Sequence, residues 1–252
     1  MAKNLTHIIY EGPSLIDGQP IVVLYQQGGK NRKTGFGMSQ TYILHADIDP
    51  ITASRTGQDS AICGDCVHRG KAHDSNKGQA LNRSCYVTLA HGPLGKFKAY
   101  RKGQYKYASG HADLASLGKG QVIRLGTFGD PCAVPSYIWE SLIYDAKGHT
   151  AYTHGAINPM PDQIMTSADS LGQAQGAWAR GERTFRVISD LAHITKQEVL
   201  CPASEEAGKR STCESCKLCA GSSVKAKSIA IVAHGTSKRA ALSNINQSEG
   251  VI

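Results

Sequence analysis

The chain has 252 residues, 40% apolar and 19% charged, the balance of a globular protein with room for a well-buried core. No apolar run reaches the roughly 18 residues that span a bilayer, and the opening MAKNLTHIIYEGPS lacks the zones of a signal peptide. A membrane protein and a secreted one are therefore not expected, and the cytoplasm is the expected compartment. A net charge of +8 and a pI near 9.1 favour encounters with phosphate polymers. In a reducing compartment the eight cysteines read as metal ligands or reactive groups, not as disulfides.

Taken in order, PIVVLYQ (20–26) reads as a strand, GGKNRKTGFG (28–37) as a basic, Gly-rich loop or hairpin tip, and TYILHAD (41–47) as a second strand. SCYVTLA (84–90) has strand composition, and a helix is expected over 94–102. Val122–Phe128 is a β-branched run closed by Gly129-Asp130-Pro131. Val134, Ile138 and Leu142 then recur at helical spacing, with Pro135 near the start and Gly148 at the end. TAYTH (150–154) and QIMTSAD (163–169) read as strands, followed by a helix in SLGQAQGAWARG that ends at Gly181. TFRVISD (184–190), EVLCP (198–202) and SIAIVAHG (228–235) complete the series, and the polar tail after Ala240 is expected to fray.

Short buried strands alternating with helices predict the α/β class and a mainly parallel sheet. About eight strands in some 250 residues suit a compact, irregular β/α (TIM-like) barrel. The expected organisation is one domain, 1–252, with Cys-rich insertions at about 60–85 and 201–221. An open doubly wound sheet uses the same alternation. Asp47, His91, Asp130, His154, Asp169, Asp190 and His234 all fall at the carboxyl ends of expected strands, the face that carries active sites in parallel β/α folds. Singly, each is equally a helix cap or turn former.

The most specific motif is Cys201-x11-Cys213-x2-Cys216-x2-Cys219. A Cys-x2-Cys turn presents two thiolates to one ion and two further cysteines close a tetrahedron, so zinc is expected, with an iron–sulfur cluster as the alternative. Cys63-x2-Cys66 with Cys85 forms a looser second group, for which His68 or His73 is the candidate fourth ligand. Cys132 stands apart and reads as a small buried residue. A radical enzyme using S-adenosylmethionine would call for Cys-x3-Cys-x2-Cys, which is not present.

For chemistry, IRLGTFGDP is the most unusual strand end. Gly126 and Gly129 permit close backbone approach, with Phe128 beside them and Asp130 at the rim as a candidate nucleophile or base. Asp47 and Asp169 are the other candidate carboxylates. Two carboxylates on one pocket suit displacement at a sugar carbon, and Tyr152 and His154 add an aromatic face and an imidazole. In 92–111, Lys96, Lys98, Arg101, Lys102 and Lys106 lie among Phe97, Tyr100, Tyr105 and Tyr107, a mixture suited to phosphates and unpaired bases. Arg32 and Lys33 would extend it.

At CPASEEAG with the following CxxCxLCxG, and at RLGTFGDPCAVP and HTAYTH, the chain resembles a family of small bacteriophage proteins over roughly residues 40–235. That family is similar to a short branch of the 7-deazaguanine DNA transglycosylases, relatives of the tRNA-guanine transglycosylases. The resemblance implies a β/α barrel with structural zinc, DNA and a 7-deazaguanine base as substrates, and base exchange. An aspartate displaces guanine at C1′, the new base attacks, and a second aspartate handles the proton. Those relatives hold zinc by Cys-x-Cys-x2-Cys and a His, whereas here the set would be Cys201, Cys213, Cys216 and Cys219. Their aspartate motifs are not matched residue by residue, so Asp130 is placed as nucleophile by position. Two other functions fit the same residues. One is a zinc-stabilised nucleic-acid-binding protein without catalysis, and the other is a metal-dependent nuclease or radical enzyme.

Overall fold

The computed structural model describes residues 6–29, 34–208, 210–234 and 238–248. They form a mixed α/β structure with two sheets. The first sheet holds β1 (Thr6–Pro13), β2 (Pro20–Gln26), β3 (Ser39–His45), β4 (Lys106–Tyr107), β5 (Val122–Phe128) and β6 (Gly148–Thr150), in the order β4-β1-β2-β3-β5-β6. The second holds β7 (Tyr152–Thr153), β8 (Met165–Ala168), β9 (Thr184–Ile188), β10 (Glu198–Leu200) and β11 (Ser228–Val232), in the order β10-β11-β9-β8-β7.

The second sheet is wholly parallel, while β1, β2 and β3 run antiparallel as a meander that opens the first. The two sheets meet at Ala151, the single residue between β6 and β7. Its N–H donates to the Cys219 carbonyl (2.9 Å) and its own carbonyl accepts from Met165 (3.1 Å). Among the described residues no ladder joins the outer strands β4 and β10, so the expected barrel does not appear as one closed sheet. The antiparallel meander takes one edge of the structure, and the outer strands have only two and three residues.

Among the described residues eight helices accompany the strands: α1 (Pro50–Thr56), α2 (Ser60–Cys63), α3 (Gly92–Arg101), α4 (Gly110–Gly118), α5 (Ser136–Ile143), α6 (Leu171–Ala179), α7 (Cys213–Cys216) and α8 (Lys238–Ser248). None is long and apolar enough to cross a membrane. The main core runs under the first sheet, from Ile21–Tyr25 and Ile43 to Ile123, Leu125, Trp139 and Leu142. These central strands are apolar at successive positions because both faces are covered. The Trp139 indole N–H reaches the Pro131 carbonyl (2.9 Å), tying α5 to the turn after β5.

Two expectations change, and one strand is new. SCYVTLA (84–90) is not a strand, because its backbone is used by the Cys-rich loop. The Ser84 and Cys85 N–H groups donate to the His68 carbonyl, and the Arg83 guanidinium donates to the Cys85 and Val87 carbonyls. The segment after Ala240 continues as α8 to Ser248, with Ala241 and Ile245 packed on Ala233, and 249–252 lie outside the described residues. THIIYEGP, which carried no expectation, forms β1 as the hairpin partner of β2.

The second sheet also encloses a charge pair. Arg186 on β9 donates to both Glu198 oxygens at 2.8 Å each, and the two side chains are 1% and 0% exposed. Burial pushes the Glu198 carboxyl up, but the Arg186 bonds outweigh it and hold the group below the usual range. Removing one partner strands the other charge, so Glu198→Ala should cost about 3–5 kcal/mol in urea unfolding. The carboxyl is more acidic folded than unfolded. Its contribution is therefore full above the ordinary Glu range and is lost as pH falls through the lowered value.

Candidate active site and metal centre

The ends of β5, β7 and β8 meet the Cys-rich loop. Gly129 has φ +83°, and a Cβ there would stand 2.6 Å from Ile43 Cβ; Gly126 has φ +65°. Both glycines thus have a backbone reason to be glycine, and Phe128 between them is a core residue. This bend delivers Asp130 at 7% exposure. Its N–H donates to the Ile62 carbonyl of α2, its Oδ1 accepts from the Cys132 N–H (3.0 Å), and its Oδ2 accepts from the His154 N–H (2.7 Å). Asp130 therefore knots three segments together and fixes the backbone of His154.

The side chains of His154, Asp169 and His68 converge beyond that knot. Asp169 Oδ1 lies 3.4 Å from His154 Nε2 and 3.4 Å from His68 Nε2, and the three ligand atoms all fall within 4.8 Å of one another. Their side chains are 11–23% exposed, so the group is recessed but open to solvent. Each is held from behind. His68 Nδ1 meets Ser84 Oγ at 2.7 Å, and the Asp169 N–H donates to Gln173 Oε1 at 2.7 Å. The neighbouring Ser170 caps α6 through the Gln173 N–H. Cys66 Sγ approaches His154 Nε2 to 4.0 Å.

Electrostatics sharpen this geometry. Burial works against charge on His154, but the Cys66 and Asp169 side chains outweigh it and raise the imidazole well above its ordinary value. Burial likewise opposes charge on Asp169, yet bonds from the two imidazoles hold its carboxyl well below the usual range. Both shifts favour a carboxylate facing a protonated imidazole. The 3.4 Å spacings also suit ligands around one ion, so His68, His154 and Asp169 form a candidate metal site, with Cys66 beside His154 but outside the three-ligand group.

Cys63 and Cys85 border the same cluster. Burial is the main cause raising both thiols; Cys63 is also raised by Cys66 and Cys85, while Cys85 is within electrostatic reach of His154. His73 is engaged elsewhere, its Nε2 on the Gln79 carbonyl and its Nδ1 on the Ser75 N–H. The histidines beside the second cysteine group are thus His68, one of the two expected candidates, and His154, supplied from the end of β7, 88 residues beyond Cys66. Loop spacing carried no sign of that partner.

The C-terminal cysteines are also gathered. α7 is a single turn with a capping box at Thr212 and Ser215, placing Cys213 and Cys216 three residues apart on one side. Lys217, at φ +54°, turns the chain back so that Cys219 packs with Met165, Ile229 and Cys201. Burial pushes the Cys219 thiol up to about 12, with Cys201, Cys213 and Cys216 adding to the rise. None of the eight cysteines is in a disulfide. The Arg183 guanidinium staples the loop, donating to the Leu218, Gly221 and Lys227 carbonyls at 2.7–2.8 Å. The four thiols share one pinned loop and lie within electrostatic reach of one another, but among the described residues the three-ligand spacing of a metal centre is met by His68, His154 and Asp169 and not by these thiols.

The remaining candidates lie apart. Asp47 is 60% exposed and pairs with Arg101 at 3.1 Å. Asp190 caps a short turn through the Ala192 N–H, and Cys132 is half-buried, its thiol pushed up to about 12 chiefly by burial. In α3 and after it, Phe97 is core, and the Tyr100 and Tyr107 hydroxyls both donate to Glu11. Lys96 is half-buried near the rings of Tyr42 and Tyr105, and burial brings its amine down to about 8. Lys98, Lys102 and Lys106 are exposed. Arg32 and Lys33 lie outside the described residues. Compared with protein-family models, curated proteins and solved structures, the chain matches none.

Proposed function

We propose that this chain is a DNA base-exchange enzyme that replaces guanine with a 7-deazaguanine base, with its chemistry at Asp169 and His154. The observation that carries this reading is the Asp169 carboxyl lying 3.4 Å from the His154 imidazole at adjacent strand ends, in surroundings that favour a carboxylate and a protonated ring. Exchange at a sugar carbon needs those two groups together. The Asp169 carboxylate attacks C1′ of an extruded deoxyguanosine, the C1′–N9 bond breaks, and His154 protonates the departing guanine. The incoming base returns a proton to His154 and attacks C1′. The bond to Asp169 breaks, restoring the carboxylate. His68 orients Asp169, and Asp130 orients His154 through its N–H.

This reading moves the nucleophile from Asp130 to Asp169. Both Asp130 oxygens are engaged by backbone N–H groups, a positioning role, and Asp47 faces Arg101 at the surface. Strands β3, β5, β6–β7, β8 and β9 lie side by side in chain order, which supports reading the fold as barrel-like. A zinc ion at Cys201, Cys213, Cys216 and Cys219 would supply structural cross-linking, with an iron–sulfur cluster as the alternative occupant. The exposed Lys98, Lys102 and Lys106 would meet the DNA backbone.

A second reading is favoured by the same cluster. His68, His154 and Asp169 have the spacing of a metal centre, which would make the protein a metal-dependent hydrolase of DNA. Mass spectrometry of nucleosides separates the two, using DNA from cells that express the protein with the enzymes of deazaguanine synthesis. Base exchange predicts a modified deoxyguanosine. Unmodified DNA together with divalent-metal-dependent strand cleavage by the purified protein would establish the second reading instead.

A further inference from the structure

Arg124 is unusual among the cations of the chain. It stands on β5, opposite Thr150 of β6 and Gln40 of β3, with its guanidinium between two aromatic rings. Its Cζ lies 5.7 Å from the ring centroid of Tyr86 and 5.7 Å from that of Tyr152, and its Nη2 donates to the Tyr86 hydroxyl. Its Nε is buried with no acceptor, and no carboxylate forms an ion pair with it among the described residues. A recessed guanidinium with an unused donor and no carboxylate partner has room for an anion to complete it, although the Cys213 and Cys219 thiols lie within its electrostatic reach.

The surroundings point to the kind of anion. Tyr152 is backed by Phe185 at 4.5 Å and begins β7, the strand that leads directly into His154. Tyr86 follows Cys85 and is 62% exposed, a large aromatic face turned to solvent beside a cation. It lies within electrostatic reach of Cys66 on the catalytic side and of Cys213 on the four-cysteine loop. The Arg124–Tyr86–Tyr152 group therefore bridges the two cysteine clusters. Aromatic faces stack on unpaired bases, and a planar guanidinium matches phosphate oxygens.

We propose that Arg124, Tyr86 and Tyr152 form a nucleotide subsite, in which Arg124 binds a phosphate of the substrate strand and Tyr86 stacks on a base next to the reacting nucleotide. This rests on the DNA reading above and adds the residues that seat the strand. Tyr86 moves off the guanidinium as the phosphate arrives, freeing Nη2 to join Nε.

The test is fluorescence anisotropy of a labelled single-stranded oligodeoxynucleotide, with metal content measured on the same samples. Arg124→Gln and Tyr86→Ala should each weaken binding about tenfold to a hundredfold. Arg124→Gln should also lower the slope of log affinity against log salt by about one, with metal content unchanged. If Arg124→Gln strips metal from the protein, its charge serves the Cys213 and Cys219 thiolates and the subsite is wrong. Because Tyr86 is exposed, Tyr86→Ala should fold, and unchanged affinity in that variant overturns the proposal even if Arg124→Gln does not fold. Weakened binding in the variants, with no modified nucleoside from the wild type, would leave the subsite standing and remove base exchange.

Discussion

Replacing Cys216 by Ser should remove one metal equivalent and lower the midpoint of thermal unfolding by roughly 10 °C, corresponding to a loss of about 4 kcal/mol. Structural zinc sites bind with an apparent free energy on the order of 10 kcal/mol, and that energy becomes folding energy where the site exists only in the folded chain. Here the loop has few other anchors. α7 is one turn long, and the connection from Pro202 to Lys227 is held mainly by the Arg183 staple, the Glu214 contacts with Thr34 and Gly37, and the Ser222 and Ser223 bonds to Pro161 and Asp162. Cys219 also sits in the small apolar cluster under β8 and β11, and its carbonyl accepts the Ala151 N–H at the junction of the two sheets. Loss of the ion should therefore loosen the junction as well as the loop. Hydrogen exchange at Ala151 and Met165 would report this, rising in Cys216→Ser and remaining slow in the parent.

A second large effect is expected at His154. His154→Ala removes the group that holds the proton and leaves Asp169 with His68 as its remaining imidazole partner. Exchange should fall by about 10²–10⁴, the usual size of a general acid–base contribution. His154→Gln preserves the backbone bond to Asp130 Oδ2 but cannot transfer the proton, so it should be almost as inactive. Asp130→Asn is a useful contrast. It disturbs His154 only through its N–H, so a smaller loss is expected, with a melting shift that His154→Gln does not show. A pH–rate profile separates the roles: the alkaline limb set by His154 should shift in Asp130→Asn and disappear in His154→Gln.

The strand pattern was legible because apolar runs such as Val122–Phe128 and Thr184–Ile188 are short, β-branched and bounded by turns. The topology was less so. THIIYEGP alternates weakly, and its role as β1 depends on the hairpin partner β2. SCYVTLA has the composition of a strand, yet Arg83 and His68 claim its backbone, a competition that propensity does not register. Of the site, Asp169 and His154 stood out by strand-end position. Their partner His68 comes from a turn about a hundred residues before Asp169, and only folding brings the two imidazoles onto one oxygen. Asp130 has the same strand-end signature as Asp169. Nothing in the sequence distinguishes a carboxylate that will accept two backbone N–H bonds from one that will face imidazoles.

The basic aromatic segment shows the reverse case. Its composition suggests stacking and phosphate contact, but folding commits Phe97 to the core and the Tyr100 and Tyr107 hydroxyls to Glu11. The aromatic that faces solvent beside a cation is Tyr86, in a loop whose signal was dominated by cysteines.

The central claim is that Asp169 carries the reaction. The most direct test is incorporation of a labelled 7-deazaguanine base into DNA by purified Asp169→Asn, compared with wild type and Asp130→Asn at equal metal content. Asp169→Asn should incorporate no label above background while Asp130→Asn retains a measurable fraction of wild-type incorporation. Incorporation by Asp169→Asn at the wild-type level would contradict the account.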